Sequence, residues 1–263
     1  MELIGGLPQQ SGDFGFCRKL SQKAPPLSPP NQTARQMQLS LIVPLGGPKP
    51  SSPQNLAWDK GSPECERLVT AEAEVPPGII REWEDRGFQV FFRRGSRGEG
   101  LKEMAERAKS PLLLFVHGDT QLPRDVLSQI LEARAAGHHW GAFHLGFDRG
   151  MGVPHRLGLA LVAWGANLRS RRGLPFGDQA PFFDKEFYFS LGGHPSFDLM
   201  EDYVLSKRAA RVEAPALLHG RVRTSARRYL AQGILRTVLQ NRRIIKAFKK
   251  KVSPEELARI YYR

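Results

Sequence analysis

A short apolar run that ends in an acid constrains the fold of this chain most. Residues 112–116 are apolar throughout, and His117 and Asp119 follow at once. Such a run is typical of a buried strand, and open α/β sheets bind ligands outside the carboxyl ends of their strands. Asp119 and His117 are therefore candidate ligands of a metal ion or a metal-bound phosphate. Asp119 equally fits a helix N-cap, because Leu122 and Pro123 predict a helix just after it.

Composition limits the class of protein. The 263 residues suffice for one large α/β domain, and 41% hydrophobic with 25% charged residues is typical of a globular protein. No apolar run is long enough to span a membrane, and the N-terminus lacks the pattern of a signal peptide. Cys17 and Cys65 are too few for a disulfide framework or a cysteine zinc site. We therefore expect a cytoplasmic protein.

The basic charge is concentrated near the C-terminus. The formal net charge is +13, and residues 207–263 hold 16 basic and 3 acidic residues. This asymmetry predicts an anionic partner. Residues 242–251 combine six basic residues with three large apolar ones. They fit either peripheral contact with anionic lipid on the inner face of a membrane or a helix that packs its apolar stripe on its own domain. Nucleic acid is not expected, because no aromatic stacking platform is interleaved with the lysines.

The chain divides into three predicted parts. Residues 1–38, rich in Pro, Gln, Ser and Gly, are expected to be a disordered leader. Strand and helix patterns alternate over residues 39–226, which predicts an α/β fold with a mixed or parallel sheet flanked by helices. Residues 227–263 are expected to form a basic helical appendage, with one long helix over 227–251.

The predicted strands cover 39–44, 66–71, 88–92, 112–116, 140–147 and 216–222, and the predicted helices include 122–136 and 157–171. The aromatic runs at 182–183 and 187–189 are expected to flank a turn.

Three further segments carry polar side chains suited to chemistry. Glu201 and Asp202 could act as general base, or could simply favour the first turn of a helix. Residues 177–179 could bind an acceptor or form an ordinary Asx-type turn. Arg227 and Arg228 could contact phosphate or form a solvated helix start. From the residues alone these alternatives stay open.

Taken in order, these motifs resemble the family-two glycosyltransferases of the GT-A fold. The resemblance is greatest to the short bacterial subgroup associated with arsenosugar biosynthesis, and it covers residues 39–263. The matching segments are residues 40–44, 113–123, 164–171, 175–179, 199–202, 224–229 and 252–259.

The resemblance implies a GT-A-like, Rossmann-type fold and transfer of a sugar from a nucleoside-diphosphate sugar to a hydroxyl group, with inversion at the anomeric carbon. It assigns Asp119 and His117 to a divalent cation (Mn or Mg) and Asp202, with Glu201, to the catalytic base. The acceptor, a small or lipid-linked molecule, would meet Gly177, Asp178 and Gln179. Arg227 and Arg228 would lie near the donor diphosphate.

The chain departs from the family pattern where the nucleotide is expected. Residues 45–48 lack the usual Asn-Glu pair, only Glu72 could replace the aspartate after the second strand, and only Arg97 remains of the third site. These departures give a second hypothesis: a non-catalytic nucleotide- or sugar-binding protein with a degenerate donor site on the same fold.

Overall fold

The computed structural model describes residues 38–46, 50–53, 65–148 and 153–262. The predicted leader lies outside these residues, apart from residue 38, and so does Cys17. Cys65 is a buried free thiol.

Seven strands form one sheet in the order β3-β2-β1-β4-β6-β5-β7. Neighbours among β1 to β4 pair in parallel, as do β5 and β7, whereas β6 is antiparallel to both β4 and β5. The prediction of a mixed sheet flanked by helices is therefore confirmed. The strands are β1 Leu39–Leu45, β2 Cys65–Ala71, β3 Gln89–Phe92, β4 Leu112–Phe115, β5 Trp140–Phe147, β6 Phe182–Asp184 and β7 Ala216–Thr224.

Helices connect and cover these strands. They are α1 Pro77–Glu84, α2 Arg97–Arg107, α3 Val126–Ala135, α4 Val153–Arg171, α5 Lys185–Ser190, α6 Glu201–Ala209, α7 Arg227–Gln232, α8 Ile234–Lys249 and α9 Pro254–Tyr262, with a short 3-10 helix at Gly177–Gln179. A capping box begins α2: the Glu99 backbone N–H donates to the Ser96 hydroxyl, and the Ser96 N–H donates to the Glu99 carboxylate. None of the described helices has the length and hydropathy needed to cross a membrane.

The central strands are buried on both faces because helices cover each side of the sheet. Leu41, Val43 and Leu114 belong to one apolar cluster, whereas Ile42 and Leu113 belong to the opposite one. Strands buried in this way are apolar at nearly every position rather than at alternate ones. This explains why the short runs at 39–45 and 112–115 were recognisable in the sequence.

Two sequence predictions were wrong in the second half of the domain. Residues 182–184 form a strand and residues 187–189 lie inside α5, so no turn separates the two aromatic runs. Helix α3 begins at Val126 rather than near residue 122, because Gln121 pairs with Arg223 through two backbone hydrogen bonds of 2.8 and 3.0 Å. That pairing keeps the chain extended past the end of β4.

The C-terminal region is not one long helix. Gly233 divides it into α7 and α8 with a φ of 87°, a conformation that a helix interior does not allow. On α8, Ile244 packs with Met200, Tyr203 and Leu257 in a third apolar cluster. The apolar stripe of residues 242–251 therefore packs on its own domain, the second of the two interpretations offered for it.

Candidate active site

Four polar segments converge at the edge of the sheet where β4 ends. Asp119 follows β4, Asp178 lies in the 3-10 helix before β6, Asp202 lies in the first turn of α6, and Arg227 begins α7 after β7. The chain thus brings together residues that are more than 100 positions apart. A crevice at the carboxyl ends of strands is the usual ligand site of such sheets.

The Asp202 carboxylate is fixed by two backbone donors. The Gly177 N–H donates to Oδ2 at 2.7 Å, and the Tyr203 N–H donates to Oδ1 at 2.6 Å. A Cβ on Gly177 would lie 2.8 Å from His117 Nε2 and 3.2 Å from Asp202 Oδ2. Glycine at this position therefore lets His117 and Asp202 approach the same backbone.

His117 is neutral at ordinary pH. Burial lowers its pKa to about 3, and the charge of Arg97 acts in the same direction. A neutral imidazole can accept or donate a hydrogen bond, or bind a metal, without a net charge.

Three half-buried carboxylates, those of Asp119, Asp178 and Asp202, lie in electrostatic range of one another. Burial raises the pKa of Asp178, Arg169 opposes this shift, and Asp202 and Asp119 add to it. Burial likewise raises the pKa of Asp119, whose Oδ2 lies 3.7 Å from Arg227 Nη2, and Arg227 opposes the shift. Asp178 Oδ1 is buried and accepts no hydrogen bond within the described residues. The site therefore concentrates negative charge that its own cations offset only in part.

Asp148 adds a fourth carboxylate at the same edge. Burial raises its pKa, and the nearby Asp119 raises it further. Its Oδ1 is also buried without a hydrogen-bond partner in the described part of the chain. The sequence analysis did not single it out, since it follows β5 without a motif around it.

Glu201 and Arg97, predicted to serve different functions, form an ion pair. Arg97 Nε lies 2.8 Å from Glu201 Oε1, and the Glu201 side chain is only 7% exposed. Burial raises the pKa of Glu201 to about 7, with Arg97 opposing the shift and Asp202 adding to it. The Arg97 N–H also donates to Asp198 at 2.8 Å. These contacts join the start of α2 to the segment that leads into α6.

Glu72 is also engaged within the protein. It forms an ion pair with Arg93, whose Nη1 donates to the Leu45 carbonyl at 2.9 Å. A Cβ on Gly46 would lie 2.4 Å from the Glu72 carboxylate. Glu72 therefore lies across the carboxyl ends of β1 and β2, where the nucleotide was predicted to bind.

Gln179 and Arg228 use their polar groups within the fold. Gln179 is fully buried, and its amide bonds to Ser170 at 2.6 Å and to the Phe143 carbonyl at 3.1 Å. The Arg228 guanidinium lies 3.6 Å from the centre of the Tyr261 ring. Of the three residues predicted to contact an acceptor, Asp178 alone has a side-chain oxygen that is left unbonded within the described residues.

Three side chains border the site although no sequence pattern indicated their role. Arg169 stacks on Phe176 at 3.5 Å and is close enough to Asp178 to oppose the rise in its pKa. Burial raises the pKa of Tyr229 to about 12, and Asp178 adds to the shift. Tyr261 of α9 is in electrostatic range of Asp178 and Asp202. Arg169 and Tyr229 lie within motif segments, so their positions were visible although their roles were not.

The described residues contain no group of three or more His, Cys, Asp or Glu side chains placed to hold a metal ion by themselves. His117 Nε2 faces Gly177 and Asp202. The assignment of Asp119 and His117 as joint ligands stays a prediction.

Comparison with known proteins identifies the fold. No family model and no curated protein matches the chain. The structure is similar to that of S. aureus TarS in complex with UDP-GlcNAc, with a TM-score of 0.51 and 13% identity over 72% of this chain and 58% of that chain. The complex of TarS with UDP gives a TM-score of 0.50 at 13% identity over 72% of this chain and 60% of that chain. The mannosyltransferase PcManGT from Pyrobaculum calidifontis, in complex with GDP-Man and Mn2+, gives a TM-score of 0.46 at 15% identity over 75% of this chain and 58% of that chain. This chain thus spans less than two thirds of the proteins it resembles, and it has the fold of the GT-A-type glycosyltransferases.

Proposed function

We propose that the protein transfers a sugar from a nucleoside-diphosphate sugar to a hydroxyl acceptor, with Asp202 as general base. The observation that carries this proposal is the Asp202 carboxylate, fixed by the Gly177 and Tyr203 backbone N–H groups beside the neutral His117. A positioned carboxylate in a crevice is what proton abstraction from a hydroxyl requires. The fold shared with TarS, a protein seen with UDP-GlcNAc and with UDP, supports a nucleotide-sugar donor.

The proposed reaction is a single displacement. Asp202 takes the proton of the acceptor hydroxyl as its oxygen bonds to the anomeric carbon. The bond from that carbon to the diphosphate oxygen breaks, and the diphosphate leaves with the electron pair. The transition state has oxocarbenium character, as in other glycosyl reactions, so a negative charge on the Asp178 side chain near Asp202 would favour it electrostatically.

The donor diphosphate is proposed to lie beside Asp119 and Arg227. The Arg227 side chain is 60% exposed and only 3.7 Å from Asp119, so it can turn to a phosphate without leaving a buried partner. A guanidinium fork binds phosphate oxygens in pairs. Arg228 is held against Tyr261 and is proposed to act by supporting α9.

Asp119, with His117, is proposed to hold a divalent cation. The described residues contain no group of three or more His, Cys, Asp or Glu side chains that would hold it by themselves. Mg²⁺ is usually bound by one or two carboxylates together with substrate phosphates, so an incomplete protein ligand set is expected. Such an ion neutralises charge on the departing diphosphate when bound.

Nucleotide binding tests the donor half of the proposal. We expect UDP or GDP to raise the thermal midpoint only with Mn²⁺ or Mg²⁺, and Asp119→Asn to remove that rise. Asp125→Asn is the matched control, since that carboxylate is 55% exposed and starts α3. Metal-independent binding that Asp119→Asn leaves unchanged would refute the assignment of Asp119.

Turnover tests the catalytic half. Release of nucleoside diphosphate from labelled nucleotide sugars should fall by about 10²–10⁴-fold in Asp202→Asn, the contribution typical of a general base. Nucleotide affinity should stay within about twofold, because Asp202 is proposed to contact the acceptor and not the donor. Equal activity of Asp202→Asn and the parent protein would exclude this role.

A non-catalytic nucleotide- or sugar-binding protein is the second candidate. It is favoured by the Glu72–Arg93 and Arg97–Glu201 ion pairs, which engage the residues predicted to bind the nucleotide. Nucleotide binding without transfer to any hydroxyl acceptor, unaffected by Asp202→Asn, would establish it. The arsenosugar-associated subgroup, the nature of the acceptor and the cytoplasmic location stay predictions.

A further inference from the structure

Large apolar side chains are exposed together on three helices. They are Leu157, Leu161 and Trp164 of α4, Leu230 of α7, and Leu235 and Leu239 of α8, with exposures from 42 to 73%. Only four other large apolar side chains in the described residues are comparably exposed, and none of those lies on these helices. Apolar side chains that are concentrated in this way usually mark a binding surface.

The spacing places these residues on continuous helix faces. Leu157, Leu161 and Trp164 recur at i, i+4 and i+7 and share one face of α4. Helices α4 and α8 meet where a Cβ on Gly158 would lie 2.7 Å from Ile234 Cδ1. Leu157 and Leu235 are the chain neighbours of these two contact residues. The exposed leucines of the two helices therefore adjoin one helix–helix contact.

The same helices carry positive charge and no acid. Residues 149–177 contain five Lys and Arg, residues 214–254 contain eleven, and neither stretch has an Asp or Glu. On α8, Leu235 and Leu239 are followed on the same face by Arg242 and Lys246, at i+7 and i+11. The outward face of α8 thus begins apolar and ends basic.

We propose that this surface, the exposed faces of α4, α7 and α8, docks on an anionic lipid bilayer. Leucine and tryptophan side chains enter the boundary between headgroups and acyl chains, while flanking arginines and lysines pair with anionic headgroups. Ile244 of α8 packs inward, so the exposed leucines, and not the apolar residues of 242–251, supply the contact. The inference does not depend on the proposed sugar transfer.

Charge complementarity favours lipid over the other partners. A second copy of the chain would bring the exposed basic side chains of α8, among them Arg236, Arg242 and Arg243, against their own counterparts, with no acid in α4, α7 or α8 to pair with them. Nucleic acid would match the charge but would leave Leu157, Leu161 and Leu235 in contact with phosphate and water. An anionic bilayer accommodates both the apolar and the basic groups.

Vesicle flotation of the full chain tests the proposal. We expect binding to vesicles of phosphatidylcholine with phosphatidylglycerol and weak binding to phosphatidylcholine alone. Leu161→Ser with Trp164→Ser, and separately Arg242→Glu with Arg243→Glu, should each lower the partition coefficient by about tenfold or more. Circular dichroism establishes that each variant is folded.

Matched controls alter the same chemistry elsewhere. Val212→Ser removes an apolar side chain that is 68% exposed and follows α6. Arg81→Glu with Arg124→Glu makes the same charge change on exposed residues outside the three helices. Both controls should keep the parent partition coefficient within about twofold. If the arginine control lost as much binding as the surface variants, net charge alone would explain the attraction to the vesicles and the proposal would be overturned.

Trp164 reports on insertion directly. It is 66% exposed, whereas Trp83 and Trp140 are fully buried. In a Trp58→Phe background, which removes the one tryptophan outside the described residues, anionic vesicles should shift tryptophan emission to shorter wavelength. Adding Trp164→Phe should abolish the shift while retaining most binding. The proposal fails if the parent protein does not float with anionic vesicles at low salt. It also fails if the surface variants instead dissociate a dimer in sedimentation, or if only an oligonucleotide binds.

Discussion

Replacing Glu201 by glutamine should stabilise the protein at alkaline pH. Burial raises the pKa of Glu201 from its ordinary 4.5 to about 7, even though Arg97 lies 2.8 Å away. A carboxyl with a raised folded-state pKa contributes stability below its unfolded pKa and loses it as pH rises through the folded value. The difference between 4.5 and 7 corresponds to about 3 kcal/mol. Because glutamine resembles the protonated acid, Glu201→Gln should match the parent near pH 4 and exceed its stability by about 3 kcal/mol above pH 8.

Urea unfolding of both proteins across this range measures the effect. The difference between them isolates Glu201, because His117 and other shifted groups titrate in both proteins. Glu84→Gln, the same substitution at an exposed position of α1, is the control. If Glu201→Gln were instead less stable by about 3–5 kcal/mol at pH 8, the cost of breaking a buried ion pair, attraction to Arg97 would outweigh burial and the reasoning would be refuted.

Two glycines give further tests of the site. Gly177→Ala would place a Cβ 2.8 Å from His117 Nε2, so transferase activity in the nucleotide-release assay should fall by about 10²-fold with a smaller loss of stability. Gly98→Ala would place a Cβ 1.9 Å from the Pro195 carbonyl oxygen, and urea unfolding should show a loss of about 1–3 kcal/mol or more. Gly165→Ala, with open space around the new methyl group on α4, should instead gain about 0.5–1 kcal/mol.

Much of the fold could be predicted because its signals are local. The strands Leu39–Leu45 and Leu112–Phe115 are short apolar runs that end in turn residues, and α1 begins at Pro77, the second residue of a proline pair. Parallel strands must be joined by crossovers, so the alternation of strands and helices was enough to indicate the sheet.

The errors fall where local signals are weak. Phe182–Asp184 has three residues and Lys185–Ser190 six, too few for either hydrophobic period to be recognised. The break between α7 and α8 is marked in the sequence only by Gly233, within a long helical pattern. Helices often tolerate a single glycine, so Gly233 did not predict the break. The strand-like pairing of Gln121 depends on Arg223, about 100 residues away, so no local pattern could show it.

The candidate site was predictable as residue types and not as contacts. The motifs indicated Asp119, Asp178 and Asp202 as residue types. They did not indicate that the three carboxylates lie close enough to shift the pKa of Asp178, because that proximity depends on how the 3-10 helix and α6 pack. The Arg97–Glu201 pair joins residues from two motifs that had been assigned separate roles. Nothing in the sequence indicated that Tyr261 would lie against Arg228, since helix α9 reaches the site only through its packing on α6 and α8.

The two candidate functions differ only on the donor side of the site. A nucleotide that used Arg93 or Arg97 would have to compete with the ion pairs that these arginines form with Glu72 and Glu201. Asp202, by contrast, is oriented by backbone N–H groups that no ligand needs to displace. Asp202 is therefore oriented whether or not a nucleotide binds. Catalysis depends on whether the donor gains enough binding free energy at Asp119 and Arg227 to bind without disrupting the ion pairs of Arg93 and Arg97.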